Sequence, residues 1–106
     1  MTDSQTQVIT KPVIMTKPRE PLLFDVVFFN DNKTYFEFVV LILVQLFSKD
    51  YDTATELTKL IHKKGRAVVA TYTYEIASAK RDEVITTART NGHPLRVEIQ
   101  PTGSTP

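Results

Sequence analysis

The chain contains no cysteine, so disulfide bridges and thiolate metal sites are excluded. Its two histidines, His62 and His93, are too few to complete a tetrahedral zinc site. Three glycines leave no material for a phosphate-cradling loop, and no G-x-S-x-G elbow is present. A marked excess of either charge is also missing. The formal net charge of +1 is too small for the electrostatic footprint of a nucleic-acid binder, and no paired aromatics lie on a basic strand. The longest apolar run, Phe38 to Val44, is far below the roughly 20 residues that cross a bilayer. The first twenty residues hold no apolar segment of signal-peptide length. These absences argue against an enzyme, a cofactor, a metal and a membrane. A cytoplasmic monomer is the expectation.

What is present fits one soluble domain. The length is 106 residues, 42% hydrophobic and 24% charged, which suffices for one core. Residues 1–20, rich in Thr, Gln, Lys and Pro without periodicity, read as a flexible extension. Residues 21–100 read as the core domain and 101–106 as a disordered tail.

Within the core, Leu22 to Phe29 is β-branched and aromatic and stops at Asn30-Asp31-Asn32, hence a strand and a turn. Thr34 and Glu37 fit a capping box opening a helix. The FVVLILVQLF that follows is apolar almost all round, which predicts a buried helix forming the spine of the core. A second helix is expected from Tyr51 to Lys63, with Gly65 at its left-handed C-cap. Arg66 to Tyr74 reads as a strand. A third helix follows, with Ile76, Ala77, Val84, Ile85 and Ala88 inward and Asn91-Gly92 closing it. Leu95 to Ile99 alternates as a half-buried strand. The fold class is thus α/β (α+β), a compact two-layer β-α-α-β-α-β domain. Three helices pack on a three-stranded sheet, antiparallel or mixed.

Two features could carry function: the polar loop Asn30-Asp31-Asn32-Lys33-Thr34, and His62 near the end of the second helix. Taken singly they are turn formers and a helix-dipole complement. Taken in order with their surroundings they resemble the ClpS family. That family's N-D-D-x-T-x-M-E-F-V segment appears as Asn30 to Val39, and its V-H-x-x-G-x-A segment as Ile61 to Ala67. Its T-x-E-x-A-x-x-K stretch appears as Thr73 to Lys80, and its H-P-L ending as His93-Pro94-Leu95. The resemblance covers residues 22–100 without a gap.

The resemblance implies an adaptor that binds substrates by their amino-terminal residue (Phe, Leu, Tyr or Trp) and brings them to a ClpA- or ClpC-type unfoldase. It implies that Asn30, Asp31 and His62 surround the substrate's α-amino group. Val39, Thr58, Ile61 and Leu95 would line a side-chain pocket with Phe36 at its rim, and Asn32 and Thr34 would support the loop. Glu75 and Lys80 match the family's unfoldase-contacting surface, and residues 1–20 its delivery extension. An ammonium has three donors, and a carboxamide, a carboxylate and a neutral imidazole supply the acceptors. Protonating His62 would replace an acceptor with a competing cation. Three positions depart from the family pattern: Asn32 where Asp is common, Phe36 in place of Met, and Thr58 in place of a gatekeeping Met. The last implies a wider pocket. The same element order also occurs in the C-terminal domain of the bacterial ribosomal stalk protein, so a structural or factor-binding module is the rival reading, as is an unfoldase modulator that ignores amino termini.

Overall fold

The computed structural model describes residues 22–103. The expected extension at 1–20, and the tail beyond Gly103, lie outside the described residues. The element order is β1 (Leu23–Phe29), α1 (Phe36–Phe47), α2 (Tyr51–Lys64), β2 (Arg66–Thr73), α3 (Tyr74–Thr90) and β3 (Arg96–Pro101). The sheet runs β2-β1-β3 and is antiparallel throughout.

β1 is the central strand because it carries apolar side chains on both faces. Its inner-face Val26 and Phe28 are fully buried against α1 and α3 residues, including Val40, Leu43, Ala77 and Val84. On the outer face, Asp25 Oδ1 accepts from Thr71 Oγ1 (2.7 Å) and Thr102 Oγ1 (3.0 Å), which joins the three strands. Thr102 N also donates to Leu23 O (2.9 Å). Ordered pairing therefore runs past residue 100, where the core was expected to end.

Three local expectations are corrected. The Thr34–Glu37 capping box does not form: α1 is capped at Tyr35 without a side-chain bond. The helix begins one residue later than the box requires, with Phe38 N and Val39 N donating to Tyr35 O (3.0 and 3.2 Å), and the Thr34 hydroxyl serves the loop by donating to Asp31 Oδ2 (2.7 Å). Nor is α1 buried all round. Val39, Val40, Ile42, Leu43 and Phe47 are covered, but Leu41 is 50% exposed, since helices pack on only one side of it. On α3, Ala77, Val84 and Ala88 face the core and Ile85 packs against it, whereas Ile76 is 49% exposed in the first turn.

Gly65 fulfils its expected role, with φ 93° and ψ −22°. Its N–H donates to Ile61 O (2.9 Å), and its own carbonyl accepts from Asn30 N (2.9 Å). One left-handed residue thus ends α2 and ties that end to the loop after β1. A Cβ at Gly65 would meet nothing within 4 Å, so only the backbone conformation opposes substitution. Gly65→Ala should destabilise the fold by about 1–2 kcal/mol. Urea unfolding should show a lower midpoint with an unchanged slope; an unshifted midpoint would show that the left-handed turn carries no strain for alanine.

Candidate functional site

The cavity of about 290 Å³ beside the β1–α1 loop is assembled from four parts of the chain. The loop contributes Asn30, Asp31, Asn32 and Thr34, and the start of α1 contributes Phe36 and Val39. The last two turns of α2 contribute Thr58, Ile61 and His62, and the approach to β3 contributes Leu95. Every residue expected to hold an amino group, form the side-chain pocket or support the loop therefore lines one cavity. Phe29, the last residue of β1, lines it as well.

The loop is shaped by Asp31. Its Oδ1 accepts from Lys33 N and Thr34 N (2.8 Å each) and its Oδ2 from the Thr34 hydroxyl. Burial on its own would raise this carboxyl's pKa. The Thr34 hydroxyl, the two backbone donors and the nearby His93 charge outweigh it and hold the pKa below the ordinary aspartate value. The ionised group therefore contributes loop stability that is complete above the ordinary aspartate range and is lost as pH falls through the lowered native value. Removing the hydroxyl donor with Thr34→Val should move the Asp31 midpoint upward, read by the side-chain carboxyl carbon shift in an NMR titration. An unmoved midpoint would show that the two backbone donors suffice.

A carboxylate has about four acceptor positions. Three are filled within the loop, which leaves one on Oδ2. The side chains of Asn30 and His62 make no hydrogen bonds to other described residues, and both residues are exposed. The polar side of the cavity thus presents a carboxamide, an imidazole and the remaining carboxylate position.

The opposite side is apolar. Val39, Thr58, Ile61 and Leu95 are all buried, and Phe36 is 39% exposed at the edge. Thr58 donates its hydroxyl to Ala54 O (2.8 Å), one turn back in α2, so its donor is satisfied inside the helix. Leu95 is held from behind by Arg89, whose Nη1 donates to the carbonyls of His93 and Leu95 (3.0 Å each). His93 stands in the turn before β3, with its ring 4.3 Å from that of Phe38 and 5.0 Å from that of Tyr35. Arg89 and Phe29 escape a sequence reading. The one is an unremarkable last-turn cation on α3, and the other looks like a plain strand end.

Glu75 and Lys80 stand elsewhere. Glu75 is exposed in the first turn of α3. Lys80 is half-buried, and its Nζ donates to Leu46 O (2.6 Å) and lies 5.8 Å from the Phe47 ring centre. It satisfies a carbonyl at the C-terminal end of α1, a structural task that its motif position did not reveal.

The family model described as ATP-dependent Clp protease adaptor protein ClpS matches residues 19–98. The chain belongs to the ClpS family. It is 46% identical over 84 residues to the ATP-dependent Clp protease adapter protein ClpS of Paraburkholderia phymatum, covering 79% of this chain and 81% of that protein. The ClpS of Burkholderia thailandensis is 45% identical over the same span. Among solved structures it is similar to Agrobacterium tumefaciens ClpS2 bound to L-phenylalaninamide, with a TM-score of 0.75 and 32% identity. That match covers 77% of this chain and 99% of the other. Membership decides between the rival readings of the fold: this is a Clp protease adaptor, not an enzyme and not a ribosomal stalk module. No helix among the described residues is long and apolar enough to cross a membrane.

Proposed function

We propose that this chain recognises proteins by a free α-amino group and a bulky hydrophobic first residue, and delivers them to a ClpA- or ClpC-type unfoldase. The observation that carries this reading is the two-sided cavity, with three side chains that each keep an acceptor position open on one wall and buried, mostly apolar side chains on the other. L-phenylalaninamide, the ligand of the ClpS2 neighbour, has a matching division. It offers an α-amine, a benzyl group and a carboxamide in the place of a first peptide bond.

In this reading Asn30, the free position of Asp31 and His62 accept from the ammonium. Val39, Thr58, Ile61 and Leu95 enclose the first side chain, with Phe36 across the entrance. Full burial of a large side chain is worth about 1.5–3 kcal/mol. The polar groups select an amino terminus, and the apolar walls select its residue. Because Asp31 fixes the loop before any ligand arrives, little ordering remains to be done on binding.

Glu75 and Lys80 form the proposed contact with the unfoldase. Phe36 and Leu46 mark the cavity end and the Lys80 end of α1. At 1.5 Å per residue those ends are about 15 Å apart, so substrate and unfoldase can be held at once. The test is degradation by such an unfoldase with its peptidase. Adding this chain should accelerate loss of a Phe-initiated fluorescent reporter and leave a Ser-initiated one unaffected. Equal effects on both reporters would instead make the chain a modulator without amino-terminal recognition.

A further inference from the structure

His93 joins the turn before β3 to two other parts of the fold. Its N–H donates to Ala88 O (2.8 Å) and its carbonyl accepts from Arg89 Nη1 (3.0 Å), which fixes its backbone against the end of α3. Its ring packs instead on the start of α1, with the ring centre of Phe38 at 4.3 Å and that of Tyr35 at 5.0 Å. Tyr35 and Phe38 stand at i and i+3, so they share a face of that first turn. The imidazole makes no hydrogen bond to another described residue, and its Nδ1 is closed to solvent. An unpaired buried nitrogen is unfavourable, so the ring contacts, not hydrogen bonding, keep the side chain there. Against the upward push of burial, His93 joins the Thr34 hydroxyl and the two backbone donors in lowering the Asp31 pKa. The imidazole therefore stands within electrostatic reach of that carboxylate.

We propose that His93 is a positioning residue for amino-terminal recognition: its ring, packed on Tyr35 and Phe38, holds the amine-accepting loop at a fixed distance from the Leu95 wall. The proposal rests on the amino-terminal reading of the cavity. In a peptide the ammonium nitrogen and the first side chain are bonded to the same α-carbon, so the acceptors and the apolar wall must keep one spacing. The two sides come from distant parts of the chain. Asp31 sits in the loop that runs into Tyr35 through Thr34, whose hydroxyl donates to Asp31 Oδ2. Leu95 lies two residues beyond His93, and its carbonyl accepts from the same Arg89 nitrogen. The His93 ring is a direct contact between these two segments, yet neither His93 nor Tyr35 lines the cavity. Loss of the ring would loosen the spacing without removing a group that touches the ligand. The ordering it provides would then have to be supplied on binding.

The test measures free and acetylated Phe-Ala-Ala peptides with a common tail by fluorescence anisotropy, on the wild-type chain and on three variants whose folding is checked by thermal unfolding. His93→Ala should lower the affinity for the free peptide by about two- to tenfold, the equivalent of one aromatic pair. The acetylated peptide, which uses the apolar wall alone, should bind almost as before, so the ratio between the two falls. A loss of stability by itself would leave that ratio unmoved. His93→Phe keeps a ring against Tyr35 and Phe38 and should keep the wild-type ratio. Tyr35→Ala removes a side chain that is 71% exposed, which the fold tolerates, and should lower the ratio by a smaller factor. A ratio unchanged in His93→Ala, or in Tyr35→Ala should His93→Ala not fold, would overturn the positioning role and leave the cavity reading standing. An equal fall in His93→Phe and His93→Ala would do the same. Equal binding of free and acetylated peptide by the wild-type chain would overturn both.

Discussion

Acetylating the α-amine of a Phe-initiated peptide should weaken its binding to this chain by at least about a hundredfold, taking each unpaired acceptor at about 1–3 kcal/mol and about 1.4 kcal/mol per tenfold in affinity. The acetylated nitrogen carries one donor and no charge. It leaves at least two of the three acceptors facing an apolar ligand without a partner. The Asp31 carboxylate is the most affected, because its pKa is held low and it remains ionised when the ligand arrives. Anisotropy titration of the two peptides gives the ratio directly. Affinities within threefold of each other would remove the amine from the recognition scheme. Asp31→Asn provides a companion test, since its amide oxygen can still accept from Lys33 N and Thr34 N while the charge is gone. That variant should weaken the free-amine peptide and barely touch the acetylated one.

Thr58→Met should change which first residues are accepted. Thr58 is 3% exposed and its hydroxyl is committed to Ala54 O, so it serves as a short wall between Ile61 and Leu95. Methionine there would extend into a cavity of about 290 Å³. Overfilling a packed site costs about 1–3 kcal/mol, so a Trp-initiated peptide should lose roughly tenfold or more in affinity. A Leu-initiated peptide, being smaller, should change far less. The chain has no tryptophan, so the indole emission of the ligand reports its own binding without background. A selectivity profile unmoved by the substitution would show that Thr58 does not set the depth of the pocket.

Much of the architecture is legible in the sequence, because its punctuation is unambiguous. Asn30-Asp31-Asn32, Gly65 and Asn91-Gly92 each stop an element where the structure stops one. What is not legible depends on competition or on distant packing. The Thr34 hydroxyl had two candidate roles, and the helix start, one residue later at Tyr35, leaves it only the one in the loop. Leu41 and Ile76 are apolar and helical, yet nothing in their own segments tells that no neighbour covers them. Lys80 reads as a surface charge until Leu46 O is found against its ammonium.

The candidate site divides in the same manner. Motif order marked the residues that now surround the cavity, from Asn30 to Leu95. Spacing alone could not bring His62 to Asn30; the carbonyl of Gly65 does that, by accepting from Asn30 N. Arg89 acts through the carbonyls of a turn, and Phe29 meets the cavity only through the fold, so neither leaves a signal within its own stretch of chain.

The most direct test is a structure of the chain with a Phe-initiated peptide bound. The ammonium nitrogen should lie about 3 Å from the Asn30 carboxamide oxygen, Asp31 Oδ2 and one nitrogen of His62, with the phenyl ring enclosed by Thr58, Ile61 and Leu95. A peptide whose amine points into solvent, or whose ring rests outside this cavity, would contradict the account.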